Sequence, residues 1–195
     1  DLEVVDHAVE SARRAAAGGT VDGALAELTG ILDTLPAHRR SLPLLVTVGR
    51  MHRIKGMATL VEAWAHSGLA EASNLLVIGG DLASPSADER EQLDRIRATI
   101  PEDEQRERGL LVTGHRPNDV AAQWLAAARF GLPGRAAPGG VYVCASVKEE
   151  FGLAILEAMA TGLLVVAPDS GGPATYVADG DTGFLTDTAD PAALV

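Results

Sequence analysis

The sequence predicts an α/β fold, a parallel sheet of about six strands with helices on both faces. Three observations carry that expectation. Short apolar runs alternate with helical patterns from residue 44 onward. The runs are continuously apolar, as strands covered on both faces require. Nearly every run ends in glycine, a polar residue or both, as at Gly49-Arg50, Gly79-Gly80-Asp81, Gly114-His115-Arg116, Ser146 and Asp169-Ser170-Gly171-Gly172. Such endings suit a ligand-binding edge beyond the carboxyl ends of parallel strands, although ordinary turns use the same residues.

Residues 1–41 are rich in Ala and Glu, with helical patterns near 4–17 and 21–35, then Pro36, Arg39-Arg40 and Pro43. They read as a helical flank or linker from a preceding domain, leading into a domain over 42–195. Leu44–Val48 is the first predicted strand. Met57–His66 is a helix with Leu60, Val61 and Trp64 on one face. Leu75–Ile78 is the second strand, and Ser86–Ile100 a charged amphipathic helix turning Leu93, Ile96 and Ile100 inward. Leu110–Val112 is the third strand, after which Asn118 is placed to cap a helix reaching Ala128. Residues 129–140 form a Gly/Pro-rich surface loop. Val141–Cys144 is the fourth strand, Leu153–Ala160 a helix stopped by Gly162, Leu163–Ala167 the fifth strand, and Gly183–Leu185 a short sixth. The chain opens on Asp1 and closes on Pro191 followed by apolar residues, the look of a helix just begun. Both ends read as cuts in a longer protein, with the second domain truncated at its C-terminus.

The chain has 195 residues, 47% of them apolar, and a formal net charge of -11. That size and composition suit one globular domain with a full core. The charge opposes general binding to nucleic-acid phosphates or anionic lipid. The single cysteine, Cys144, lies in an apolar run and reads as a small buried hydrophobe. The five histidines show no metal-ligand spacing. No run of 18 apolar residues and no signal-peptide pattern occurs, so no integral membrane segment is expected and a cytoplasmic setting follows by default.

Two carboxylates stand out. Glu149 follows the fourth strand, and Glu157 sits within the otherwise apolar helix Leu153–Ala160. A carboxylate in such a helix is costly to bury unless something polar meets it, and sugar hydroxyls would do so. Residues 49–56, Gly-Arg-Met-His-Arg-Ile-Lys-Gly, form a basic cluster in an acidic chain between a strand and a helix start. Cations there are disfavoured by the helix dipole unless an anion binds, when N–H groups and cations act together. A phosphate site and a solvated basic loop both fit the cluster, and neither standard phosphate-loop fingerprint is present. Phe151-Gly152-Leu153 and Gly171-Gly172-Pro173 are further candidate anion-binding turns. His52 and His115 read as polar loop residues, and Asp81 and Asp169 as strand-end turn or cap residues.

Together these residues resemble the C-terminal, donor-binding, Rossmann-like domain of retaining GT-B glycosyltransferases of family 4, the group that includes sucrose synthase and sucrose-phosphate synthase. The resemblance covers roughly 42–190. It rests on Val48-Gly49-Arg50 with Lys55-Gly56, on Glu149 and Glu157 around Phe151-Gly152-Leu153, on Gly171-Gly172-Pro173, and on Asp179-Gly180 through Gly183-Phe184-Leu185. It implies that Gly49, Arg50 and Lys55 hold the donor diphosphate, and that Glu149 contacts donor-sugar hydroxyls. It implies that backbone N–H groups at Phe151, Gly152 and Leu153 face sugar or phosphate, that Glu157 accepts from the ribose, and that Arg116 lies near the base. Glu150 stands where many members carry proline.

The implied reaction is hexosyl transfer from a nucleoside-diphosphate sugar, such as a UDP-, GDP- or ADP-hexose, with retention, no metal and no cofactor. Glu149, Arg50 and Lys55 would be the catalytic groups. The acceptor would bind an N-terminal domain, so this part alone is expected to turn over little or nothing. A nucleotide-sugar epimerase of the same architecture, and a non-catalytic nucleotide- or protein-binding domain, remain alternatives.

Overall fold

A computed structural model of the chain describes residues 2–21 and 23–194. Six parallel strands form one sheet: β1 (Leu44–Val48), β2 (Asn74–Ile78), β3 (Leu110–Val112), β4 (Val141–Val143), β5 (Leu164–Pro168) and β6 (Phe184–Thr186). Their spatial order is β3-β2-β1-β4-β5-β6, the doubly wound order. The chain therefore reverses its direction of winding between β1 and β4, and a crevice opens there at the carboxyl edge.

Eight α-helices occur among the described residues: α1 (Leu2–Ala16), α2 (Gly23–Leu32), α3 (Met57–Ala65), α4 (Leu69–Ala72), α5 (Ala87–Thr99), α6 (Gln105–Arg108), α7 (Asn118–Phe130) and α8 (Leu153–Ala160). Side chains alternate across each strand, so the sheet feeds two cores. Leu44, Val46, Leu76 and Ile78 meet α1, α2, α7 and α8 on one face. Leu75, Val77 and Val143 meet α3 and α5 on the other. The flank helices α1 and α2 are docked, not loose. Ala8, Ala12 and Ala15 of α1 and Leu25, Leu28 and Leu32 of α2 are buried in the same core as α7. Small alanines on α1 allow that close approach.

Element boundaries shift by up to three residues from the sequence expectation, and the short helices α4 and α6 are additions to it. Asn118 does not cap α7. It is the first helical residue, Pro117 occupies the cap position, and no side-chain cap bond forms. The helix runs past Ala128 to Phe130 and stops where Gly131 takes φ 77°. Cys144 lies just beyond β4, and β5 and β6 each sit one residue later than expected. By contrast, Ser86 forms a full capping box with Glu89 at the start of α5.

Candidate functional site

Two adjoining clefts lie along the carboxyl edge. The first, about 500 Å³, spans the β1–β4 crevice and is lined by Thr47 to Arg50, Lys55, Tyr142, Cys144 to Ser146 and Glu149 to Ile155. The second, about 740 Å³, runs over the ends of β1, β2 and β3 and is lined by Arg50, Gly79 to Ala83, Thr113 to Arg116, Asn118 and Glu157. Val48, Gly49 and Arg50 border both. The volumes are those of small-molecule sites.

The basic cluster folds as a short 3-10 turn, Arg53–Lys55, after β1. His52 begins it by accepting the Ile54 N–H at Nδ1, 3.2 Å. Gly56 ends it at φ 65°, pressed so close to the Ala145 carbonyl that a Cβ would overlap it. That contact brings the turn beside the end of β4 and sets the Lys55 ammonium 2.5 Å from Glu149 Oε2. Glu149 also accepts from the buried Ser146 hydroxyl at 3.1 Å, and Thr188 holds the Ser146 carbonyl at 2.6 Å. Both contacts to Glu149 fall on its Oε2. Arg50 is exposed, and its guanidinium makes no hydrogen bond or ion pair among the described residues. One flexible cation at the junction of the clefts is free, while the other is already paired.

Phe151 is exposed, and Gly152 takes φ 82° at the start of α8, with no side-chain cap bond. The N–H groups of Leu153 and Ala154 have no acceptor among the described residues, and both residues line the first cleft. Glu150 points outward, 88% exposed, 3.9 Å from Lys148. Cys144 is buried with its thiol 3.4 Å from Ser146 Oγ, and burial pushes that thiol's pKa up.

Glu157 borders the second cleft and a small void formed with Val4, Val5, Asn118 and Ala122. It has no hydrogen-bond or ion-pair partner among the described residues. Partial burial raises its pKa above the ordinary carboxylate value. Arg116 lines the same cleft but turns its guanidinium aside. Nε donates to Glu27 at 2.8 Å, one terminal nitrogen reaches the Thr113 and His115 carbonyls, and the plane lies 5.1 Å from the Trp124 ring centre. Asp81 is a turn residue, accepting the Ala83 and Ser84 N–H groups.

Sequence reasoning assembled most of this edge and missed two features. Tyr176 was not singled out, yet its hydroxyl reaches the Phe151 carbonyl at 2.7 Å. Glu27, far away in the chain, anchors Arg116, and no local pattern reports such a contact. In the Gly171-Gly172-Pro173 turn, the Gly172 N–H donates to the Glu149 carbonyl at 3.1 Å and so is not open to a ligand.

A parallel sheet in this order, with its crevice at this edge, is a doubly wound, Rossmann-like domain, and it matches the C-terminal half of the GT-B fold. Residues 42–195 match the family described as "Glycosyl transferases group 1", and the chain belongs to that family. Sucrose synthase from Acidithiobacillus caldus is 35% identical over 179 residues, covering 85% of this chain and 20% of that protein. The chain thus spans about a fifth of the length of such sucrose synthases. Sucrose-phosphate synthase from Thermosynechococcus elongatus superimposes with a TM-score of 0.64 at 31% identity, over 88% of this chain and 37% of that one. Alr3699/HepE from Anabaena, solved in complex with UDP-glucose, gives a TM-score of 0.65 at 23% identity over 90% of this chain and 42% of that one, and speaks to the fold alone. Among the described residues no helix is long and apolar enough to cross a membrane.

Proposed function

We propose that this domain binds the nucleoside-diphosphate hexose donor of a retaining hexosyltransferase. The observation that carries the reading is Arg50, an unpaired cation shared by two clefts, one holding Glu149 and the other Glu157. A diphosphate bridging sugar and nucleoside needs that arrangement, with an anion-binding group between two hydroxyl-binding ends.

In this reading the diphosphate lies on Arg50, with Lys55 shared between it and Glu149. The bond from the anomeric carbon to the phosphate oxygen breaks with its electron pair going to the nucleotide, the sugar gains oxocarbenium character and negative charge grows on the departing nucleotide, while an acceptor hydroxyl forms the new bond to that carbon and passes its proton to the phosphate. Preplaced cations stabilise that charge. Glu149 accepts hydroxyls of the donor sugar and sets its position, and Glu157 accepts the ribose hydroxyls. Glu149 is not assigned as a glycosidase-type nucleophile, because such chemistry uses a second carboxylate across the scissile bond. The acceptor is assigned to an N-terminal domain joined to this one, so the isolated chain binds donor weakly and turns it over little.

Calorimetric titration of UDP, GDP and ADP into the chain, repeated with Arg50→Ala and Glu157→Ala, tests this. Binding of at least one nucleotide, weakened in both variants, is expected. Absence of binding by all three would favour an interaction module instead. With an acceptor domain present, isomerisation of the sugar without transfer would favour an epimerase.

A further inference from the structure

The turn that carries Glu149 has little to hold it from within. Gly152 offers no side chain to cap α8, and Phe151 is largely exposed. Its support comes from the segment after β5. The Gly172 N–H donates to the Glu149 carbonyl at 3.1 Å. A Cβ on Gly171 or Gly172 would overlap the Glu149 or Glu150 carbonyl, so the two backbones lie in direct contact. Tyr176 completes the support. Its hydroxyl donates to the Phe151 carbonyl at 2.7 Å and lies 3.3 Å from the Gly152 carbonyl. Its ring packs at 56° to the Phe151 ring, with centres 6.2 Å apart.

The Gly152 carbonyl already accepts the Ile155 and Leu156 N–H groups, the first bonds of α8. Tyr176 therefore touches both the turn and the origin of the helix whose leading residues line the first cleft. Burial, followed by the Cys144 and Glu149 charges, pushes the phenol up to about 12, so it remains a donor at neutral pH.

We propose that Tyr176 is a positioning residue for the donor sugar. Its hydroxyl fixes the Phe151–Gly152 turn, and thereby holds Glu149 and the N–H groups of Leu153 and Ala154 in one arrangement toward the sugar. The role rests on the donor-site reading above. It makes Tyr176 a determinant of discrimination between intact donor and bare nucleotide, since the Arg50 side of the junction does not depend on the turn.

The test is Tyr176→Phe, which keeps the ring and removes the hydroxyl, with Tyr176→Leu beside it. Amide exchange by NMR reads the turn without ligand. In the Phe variant, exchange at Gly172, Ile155 and Leu156 should quicken roughly fivefold to tenfold, the loss of about one net hydrogen bond, while Val46 in the core stays protected. Titration should show UDP-glucose weakened by a similar factor and UDP by no more than about twofold. The Leu variant should show at least the same loss of preference. Equal weakening of both ligands, no weakening of either, or a lost preference in the Leu variant alone would overturn the assignment to the hydroxyl. Binding of neither ligand by the unaltered chain would overturn the donor-site reading itself, whatever the exchange rates show.

Discussion

Glu149 and Glu157 face opposite circumstances. Glu149 is held by Lys55 and Ser146, on a turn backed by Gly172 and Tyr176. Glu157 is half-buried with no partner among the described residues, and its charge is disfavoured there. The sugar end of the proposed site is therefore built by the protein before ligand arrives. The nucleoside end has an acceptor without a hydrogen-bond partner among the described residues, in a place where burial disfavours its charge. The first arrangement gives geometry, and the second ties the stability of the fold to occupancy.

The largest expected effect strikes the built end. Gly56→Ala places a Cβ against the Ala145 carbonyl in a left-handed conformation. It should destabilise the chain by more than about 2 kcal/mol and move the Lys55 turn, read by thermal melting and by loss of nucleotide binding.

Lys55→Ala comes next. Removing the ammonium leaves Glu149 poorly solvated beside Ser146, and the cost should be about 1–2 kcal/mol, tempered because both side chains keep some contact with water. Adding Glu149→Gln should recover part of the lost melting temperature, since the stranded charge is then gone. If the double variant is less stable than Lys55→Ala alone, the two groups are not coupled as described.

The unpaired carboxylate should respond in the other direction. A carboxyl pKa raised by folding favours the protonated form. Its stabilising contribution is therefore present below the unfolded value and is lost as pH rises through the folded one. Glu157→Gln should melt at or above the parent at neutral pH, with the gap closing as pH falls through the ordinary carboxylate value of 4.5. It should also weaken nucleotide binding by roughly fivefold to tenfold. A variant less stable than the parent at pH 7 would remove the contrast.

The smallest effect concerns the edge of the second cleft. Glu27→Gln breaks a surface ion pair of modest strength, while the Trp124 stacking and the carbonyl bonds of Arg116 remain. Stability should change by less than about 1 kcal/mol and UDP affinity by less than about twofold. A larger loss of affinity would mean that α2 governs the nucleoside end.

The strands were legible in sequence because each is a dense apolar run with an abrupt polar or glycine end, as at Leu44–Val48 before Gly49. The basic turn and the two carboxylates were legible as charges in improbable places. Asn118 misled because proline at 117 took over the cap position. The partners of the charges could not be read at all. Lys55 and Glu149 are 94 residues apart, and Arg116 and Glu27 are 89. Such contacts follow from strand order and from how α2 packs on α7, which no local pattern encodes. Tyr176 escaped for the same reason, since its role depends on β4 and β5 lying side by side.

The most direct measurement is the pH titration of the Glu157 carboxyl carbon by NMR, in the free chain and with saturating UDP. Glu157 should titrate above the ordinary carboxylate range when free and fall once UDP is bound, because ribose hydroxyls stabilise its charge. A Glu157 titration unmoved by saturating UDP would contradict the account.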